Sequence, residues 1–97
     1  MFSIGSRRWP GISKLVEECG EVLQVCGKLI GSRGEILHWD GTNLREKLQE
    51  ECADVLAAVS FVIRFCDLDD VAIQKRVYQK RALFEHWHAT NPEAISD

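Results

Sequence analysis

Apolar residues recur at spacings of three and four along most of the chain between its two prolines, Pro10 and Pro92. Because an α-helix turns by about 100° per residue, these spacings gather the apolar side chains on one stripe. No strand-like alternation is present, so the pattern predicts an all-α fold. The expected helices cover about residues 10–30, 43–66 and 69–89. Ninety-seven residues suit one domain, which would span residues 1–97.

Residues at the helix ends support these boundaries. Pro10 suits the first turn of the first helix, and Gly31 suits its end. The expected N-caps are Thr42 or Asn43 for the second helix and Asp67 or Asp69 for the third. Residues 31–43 contain three glycines and no clean period, which predicts a loop. This loop is long for a helical bundle, so it is a candidate functional segment.

The second helix is apolar on more than one side. Its second half adds Ala57, Ala58, Phe61 and Phe65 to a stripe made of Leu44, Leu48, Cys52, Val55, Leu56, Val59, Val62, Ile63 and Cys66. A helix that is apolar all round is buried all round, and three short helices cannot easily surround it. The pattern therefore predicts an antiparallel three-helix protomer with a subunit interface at this helix.

Charge and composition restrict the classes of partner. Lys and Arg number 12 against 15 Asp and Glu, so no global basic field exists for polymeric nucleic acid. No run of about 18 apolar residues is present, which argues against a membrane partner. The N-terminal basic residues precede no apolar run, so we expect no signal peptide and a cytoplasmic location. In that reducing compartment the four cysteines are expected to be core thiols.

Two decapeptides of the chain are nearly identical. Residues 14–23 read KLVEECGEVL and residues 47–56 read KLQEECADVL, with seven of ten positions the same. Residues three and four apart share one face of a helix, so each decapeptide presents a cluster of acids. The clusters are Glu17, Glu18 and Glu21 on the first helix and Glu50, Glu51 and Asp54 on the second. If the two helices pack antiparallel, these clusters can face each other around one space.

Such a cluster repels itself, and the repulsion grows as the site loses water. Glu51 and Asp54 project on the side of the second helix that continues as Ala58, Phe61 and Phe65, so they are expected to border an interior surface. Repelling carboxylates at a partly buried site predict a bound cation. Oxygen ligands alone predict a hard ion, Mg²⁺ or Mn²⁺.

The alternative is a solvated acidic face. Lys14 and Lys47 stand four residues before Glu18 and Glu51, and these pairs would then be ordinary surface ion pairs. Lys before Glu is the weaker orientation of such a pair on a helix. The presence of two matched motifs on adjacent amphipathic helices favours the metal site.

At these residues the sequence resembles the MazG-type all-α nucleoside triphosphate pyrophosphohydrolases. That family is marked by EExxE on one helix and ExxD on the next, matched here by Glu17-Glu18-x-x-Glu21 and Glu51-x-x-Asp54. The K-L-x-E-E-x-G-E and A-D-V-L contexts add weight, and the resemblance covers about residues 10–90. It implies Mg²⁺-dependent cleavage between the α and β phosphates, giving a nucleoside monophosphate and pyrophosphate. It also implies a helical dimer or dimer of dimers, and a role in nucleotide-pool house-cleaning.

The resemblance also implies roles for individual residues. Carried across, the metal ligands would be Glu18, Glu21, Glu51 and Asp54. Glu17 and Glu50 would orient or deprotonate the attacking water, or bind a second metal. The expected catalytic group is therefore Glu17, Glu18, Glu21 and Glu50.

Four further residues are candidates for binding the substrate. Lys80 falls inside the apolar stripe of the third helix, with Arg76 one turn earlier. Either the Lys80 amine binds a phosphate or a carboxylate, or its stem passes along the core with the amine in solvent. His38 and Trp39 lie on the long loop, where the indole would stack on a base or plug the end of the bundle.

Three other functions are kept open. A phosphoribosyl-ATP pyrophosphohydrolase belongs to the same broad superfamily and attacks a similar bond. A non-catalytic dimeric helical interaction module would keep the apolar stripes but would not need six matched carboxylates. A di-iron carboxylate bundle would use Glu85-x-x-His88, although this spacing lies near the chain end.

Overall fold

A computed structural model describes residues 3–91 of the chain. They form three helices, α1 (Ile12–Gly31), α2 (Leu44–Phe65) and α3 (Asp70–Thr90). Between residues 3 and 91 no strand occurs, and the only bridge is an isolated one in the loop before α2. The prediction of an all-α fold is confirmed, and each helix begins and ends within two residues of its expected position. Pro92, expected just beyond the last helix, lies outside the described residues.

Asx side chains start the second and third helices. The Asn43 side chain accepts a hydrogen bond from the Glu46 amide at 3.1 Å, and the Asp69 side chain accepts one from the Ala72 amide at 3.0 Å. Each bond satisfies an amide that the first helical turn leaves unpaired. Asp67, the other expected N-cap of α3, instead lies in the turn between α2 and α3 and has a left-handed backbone conformation (φ 53°).

Helices α1 and α2 pack antiparallel as a hairpin. The Cys66 thiol after α2 donates a hydrogen bond to the Pro10 carbonyl before α1 at 3.3 Å. Seam residues follow alternating steps of four and three, as in a coiled coil. They are Gly11, Leu15, Glu18, Val22, Val25 and Leu29 on one side and Leu44, Leu48, Glu51, Val55, Ala58 and Val62 on the other, all buried or half-buried. Two acids, Glu18 and Glu51, thus occupy positions that normally carry apolar side chains.

Gly11 allows α1 and α2 to approach closely at the end of the hairpin opposite the connecting loop. Its φ of 84° is a left-handed conformation that side chains disfavour. A Cβ at this position would stand 2.5 Å from Cδ1 of Phe61. The absence of a side chain therefore allows the ring of Phe61 to lie directly on the start of α1.

Helix α3 does not pack into a three-helix core within one protomer. None of its residues is buried, and four of its apolar side chains are each more than one-third exposed, namely those of Val77, Leu83, Phe84 and Trp87. The radius of gyration is 16.4 Å, against about 12–13 Å for a compact chain of this length. The molecule is also flat, with extents of 45 × 37 × 15 Å. The protomer therefore leaves much apolar surface uncovered.

None of the three described helices combines the length and the apolar character that crossing a membrane requires.

Candidate metal centre

Three acids from the two motifs meet at the middle of the hairpin. Glu18 of α1 and Glu51 and Asp54 of α2 each place a carboxylate oxygen so that the three atoms lie within 4.8 Å of one another. We call these three residues the acid cluster. They converge because the seam sets Glu18 opposite Glu51, and Asp54 follows one turn later on the same face. Three of the four predicted metal ligands are thus brought together.

Two of the three acids, Glu18 and Glu51, are buried, which an ordinary acidic surface would not show, whereas Asp54 is exposed. The side chain of Glu51 is 3% exposed and that of Glu18 is 11% exposed. Oε2 of Glu51 is buried and has no hydrogen-bond partner among the described residues. A buried carboxylate oxygen without a partner is costly unless an ion or a donor compensates it. One carboxylate oxygen from each of the three acids makes a ligand set suited to a hard divalent cation.

Each buried glutamate is paired with the lysine four residues before it. Lys47 Nζ lies 3.0 Å from Oε1 of Glu51, and Lys14 Nζ lies 3.3 Å from Oε1 of Glu18. The hydrogen bond to Glu51 is the main cause that raises the pKa of Lys47 above its ordinary value. The expected lysine pairs are therefore present, but their acids are buried, so they are not the pairs of a solvated face.

The outer acids of the two motifs are more exposed. The side chains of Glu17 and Glu50 are 55% and 70% exposed, so the solvated-face interpretation describes these two. Glu21, the fourth predicted ligand, lies outside the 4.8 Å group. Its pKa is nevertheless raised, first by the negative charge of Glu51, then by desolvation and by the charge of Glu18. Glu21 therefore belongs to the electrostatic surroundings of the acid cluster.

A cavity of about 350 Å³ opens beside the acid cluster, toward the N-terminal end of α1. It is lined by Ile4, Gly11, Lys14, Glu18, Asp54, Ala57, Ala58 and Phe61. Phe61 is held by a stacked contact with Phe65, with ring centroids 4.4 Å apart. The cavity therefore joins carboxylates and an amine at one side to an apolar wall at the other. The contributions of Ile4 and Gly11 could not be predicted from the sequence, because Ile4 belongs to no periodic pattern and Gly11, although in step with the seam, has no side chain to mark it.

The two basic residues predicted to meet phosphate lie elsewhere. Arg76 and Lys80 line a separate cleft formed by α3 alone, with Val77, Arg81 and Phe84. The Lys80 amine stands 5.9 Å from the centroid of the Phe84 ring, a cation–π contact that agrees with the snorkelling alternative. Neither basic residue lines the cavity beside the acid cluster within one protomer. Glu85 and His88, which a di-iron site would use, are exposed on α3 and outside the acid cluster.

The loop carries its aromatic residues away from the acid cluster. The His38 amide donates to the Thr42 carbonyl at 2.9 Å, which closes a tight turn with Trp39 at its tip. Trp39 is 89% exposed, so it plugs nothing within the protomer. The loop meets α2 at Leu44, and Glu51 lies about 10 Å further along the helix. The structure therefore does not bring His38 and Trp39 to the acid cluster within one chain.

No family model, no curated protein and no solved structure matches this chain. The resemblance to MazG-type enzymes rests on the two motifs and their context, and it stays a prediction. The geometry adds an observation that is independent of it, namely a buried carboxylate oxygen without a partner among three converging acids.

Proposed function

We propose that this chain is a Mg²⁺-dependent nucleoside triphosphate pyrophosphohydrolase of the MazG type. Its reaction would cleave the bond between the α and β phosphates and release a nucleoside monophosphate and pyrophosphate. The reaction class comes from the resemblance of the two acidic motifs. The observation that carries the metal requirement is the unpaired, buried Oε2 of Glu51 beside Glu18 and Asp54. A cytoplasmic role in nucleotide-pool house-cleaning belongs to the same proposal.

In this proposal Glu18, Glu51 and Asp54 hold the ion, and Glu21 adds negative charge or a fourth ligand. When bound, Mg²⁺ supplies charge neutralisation, polarisation of a phosphate oxygen and a lowered pKa of bound water. Mn²⁺ is the expected substitute, since it also accepts carboxylate oxygens in six-coordinate geometry. The fit rests on the donor set, which contains carboxylates alone.

The chain's other groups would bind substrate and move a proton. Glu50 is exposed and has only a 3.8 Å contact with Lys47, so its carboxylate is free to accept a proton from a water molecule. Glu17 is the equivalent residue on α1, although the Lys14 amine is 3.3 Å away. The apolar wall made by Phe61 and Ala57 offers a surface for a base or sugar to pack against.

A homo-oligomer completes the proposal. Apolar side chains of α2 and α3, including Leu56, Val59, Ile63, Ile73 and Val77, face a cleft of about 540 Å³ between the two helices. A second copy seated there would cover them and build the missing layer of the core. If α3 of one copy packs on the hairpin of another, Arg76 and Lys80 would lie near the acid cluster of that other copy. They could then bind the phosphates of a substrate held there. The expected state is a dimer or a dimer of dimers.

A hydrolysis panel tests the proposal. Purified protein would be offered standard and deaminated ribo- and deoxyribonucleoside triphosphates, and phosphoribosyl-ATP, with Mg²⁺, and the products would be separated. We expect monophosphate and pyrophosphate, lost on chelation and in Glu18→Gln and Asp54→Asn. Glu85→Gln, an exposed change on α3, serves as the matched control and should retain activity.

Other outcomes of the panel assign other functions. Diphosphate and phosphate as products would contradict the proposed bond cleavage. Turnover of phosphoribosyl-ATP alone would assign the alternative pyrophosphohydrolase activity. Absence of both turnover and metal binding would leave the non-catalytic helical module as the better account.

A further inference from the structure

The two oxygens of the Glu51 carboxylate have different surroundings. Oε1 receives the Lys47 amine at 3.0 Å, whereas Oε2 is buried without a partner among the described residues. Lys47 itself is 45% exposed, so its amine reaches a buried acid from the edge of the hairpin. One oxygen of Glu51 is therefore held by the protein, and the other is left without an internal donor.

We propose that Lys47 is a positioning residue for the metal centre, which holds Glu51 by Oε1 so that Oε2 remains available as the ligand atom. The inference rests on the metal-binding part of the proposed function and is independent of the hydrolytic reaction. Lys47 is not itself a ligand, because an ammonium group has no lone pair to offer.

Burial is the reason why Glu51 needs such a partner. A buried carboxylate that no donor holds can rotate toward water, and its oxygen then leaves the acid cluster. The Lys47 amine, 3.0 Å from Oε1, fixes the orientation of the Glu51 carboxylate. The ligand atom Oε2 is therefore in place before a cation binds.

The repeated decapeptide supplies an internal comparison. Lys14 stands at the equivalent position on α1, but its amine is divided between Glu17 and Glu18, at 3.3 Å from each. Lys47 lies 3.0 Å from Glu51, the more buried acid, and 3.8 Å from Glu50, so its amine is held mainly by Glu51. Lys47 is therefore expected to matter more for metal affinity than Lys14.

Mn²⁺ binding followed by electron paramagnetic resonance tests this inference in the full-length chain, with no nucleotide present. Lys47→Met should weaken Mn²⁺ binding by roughly 10–100-fold, the usual cost of removing a group that orients a ligand. Lys47→Arg should restore most of the affinity, because it returns a positive donor to Oε1. Lys14→Met should have the smaller effect, and Lys75→Met on α3 controls for loss of a distant positive charge.

A loss of Mn²⁺ binding in Lys47→Met has to be separated from a general effect on folding. Circular dichroism of each variant checks that the helices are retained. Unchanged or tighter Mn²⁺ binding in Lys47→Met would overturn the inference and make Lys47 a competitor of the metal. Absence of Mn²⁺ binding by the wild-type chain would also overturn it, whereas metal binding without nucleotide turnover would contradict the proposed reaction alone.

Discussion

Glu51→Gln is expected to stabilise the metal-free protein and to abolish its response to divalent cations. The residue is 2% exposed, and one oxygen of its carboxylate has no hydrogen-bond partner in the described chain. Most substitutions at buried positions destabilise a protein. If Glu51→Gln stabilises the protein, the charge of Glu51 destabilises the metal-free fold, and cation binding is the reason for its presence.

The magnitude follows from two opposing contributions. One carboxylate oxygen of Glu51 lies within 4.8 Å of one of Glu18 and one of Asp54. At an effective dielectric constant of about 20, each of these two pairs repels by roughly 3.5 kcal/mol, or about 7 kcal/mol together. The Lys47 amine at 3.0 Å attracts the Glu51 charge by about 5.5 kcal/mol in the same medium. The neutral amide loses both contributions and keeps a neutral hydrogen bond to Lys47. The net expectation is a gain of about 1–2 kcal/mol in the free energy of unfolding, or roughly 5–15 °C in Tm.

Thermal denaturation followed by far-UV circular dichroism measures both effects. The wild-type chain and Glu51→Gln would be melted in EDTA and in excess Mg²⁺, with Glu85→Gln as the exposed control. In EDTA the variant should melt above the wild type, and Mg²⁺ should raise the Tm of the wild type and the control only. A lower Tm of Glu51→Gln in EDTA, or a full Mg²⁺ response in this variant, would refute the reasoning.

Three smaller predictions concern the surroundings of the site. Glu21→Gln should raise the Tm in EDTA, because the charge of Glu51 raises the pKa of Glu21 and the two repel; an unchanged or lower Tm contradicts this. Gly11→Ala should destabilise the chain by about 2–4 kcal/mol in urea denaturation, since φ is 84° and the new Cβ would meet Phe61; an unchanged midpoint contradicts this. Hydrogen bonds from the Thr42 hydroxyl and amide lower the pKa of Asp40. These bonds therefore stabilise the loop fully at any pH above the ordinary pKa of the carboxyl group, and the stabilisation is lost as the pH falls through the lowered pKa. Asp40→Ala should therefore speed hydrogen exchange at the Thr42 amide at neutral pH and not below that lowered pKa, and equal rates at neutral pH would contradict the assignment.

The helices and the convergence of the acids could be predicted from the sequence, because both depend on local spacing. Alternating steps of three and four define the hairpin seam, and an antiparallel turn sets Glu18 near Glu51. The choice of Asn43 over Thr42 as N-cap could not be made in this way, because both types of side chain can accept the same hydrogen bond.

The position of α3 could not be predicted. Its apolar residues indicate that one face packs against another surface, but they do not indicate which surface that is. Lys80 falls in an apolar stripe, and within the protomer it lies over Phe84 and away from the acid cluster. Ile4 reaches the cavity through the fold of the segment before α1, where it follows no periodic pattern. Long-range placement of this kind depends on tertiary or subunit contacts that residue spacing does not encode.

The central claim is that the two acidic motifs form one divalent-cation site, and crystals soaked in Mn²⁺ test it most directly. An anomalous difference map should show a peak coordinated by Glu18, Glu51 and Asp54, with Oε2 of Glu51 as a ligand atom. The same map from Glu51→Gln crystals should lack that peak. Absence of a peak at these residues in the wild-type crystals, or a peak only elsewhere on the chain, would contradict the account.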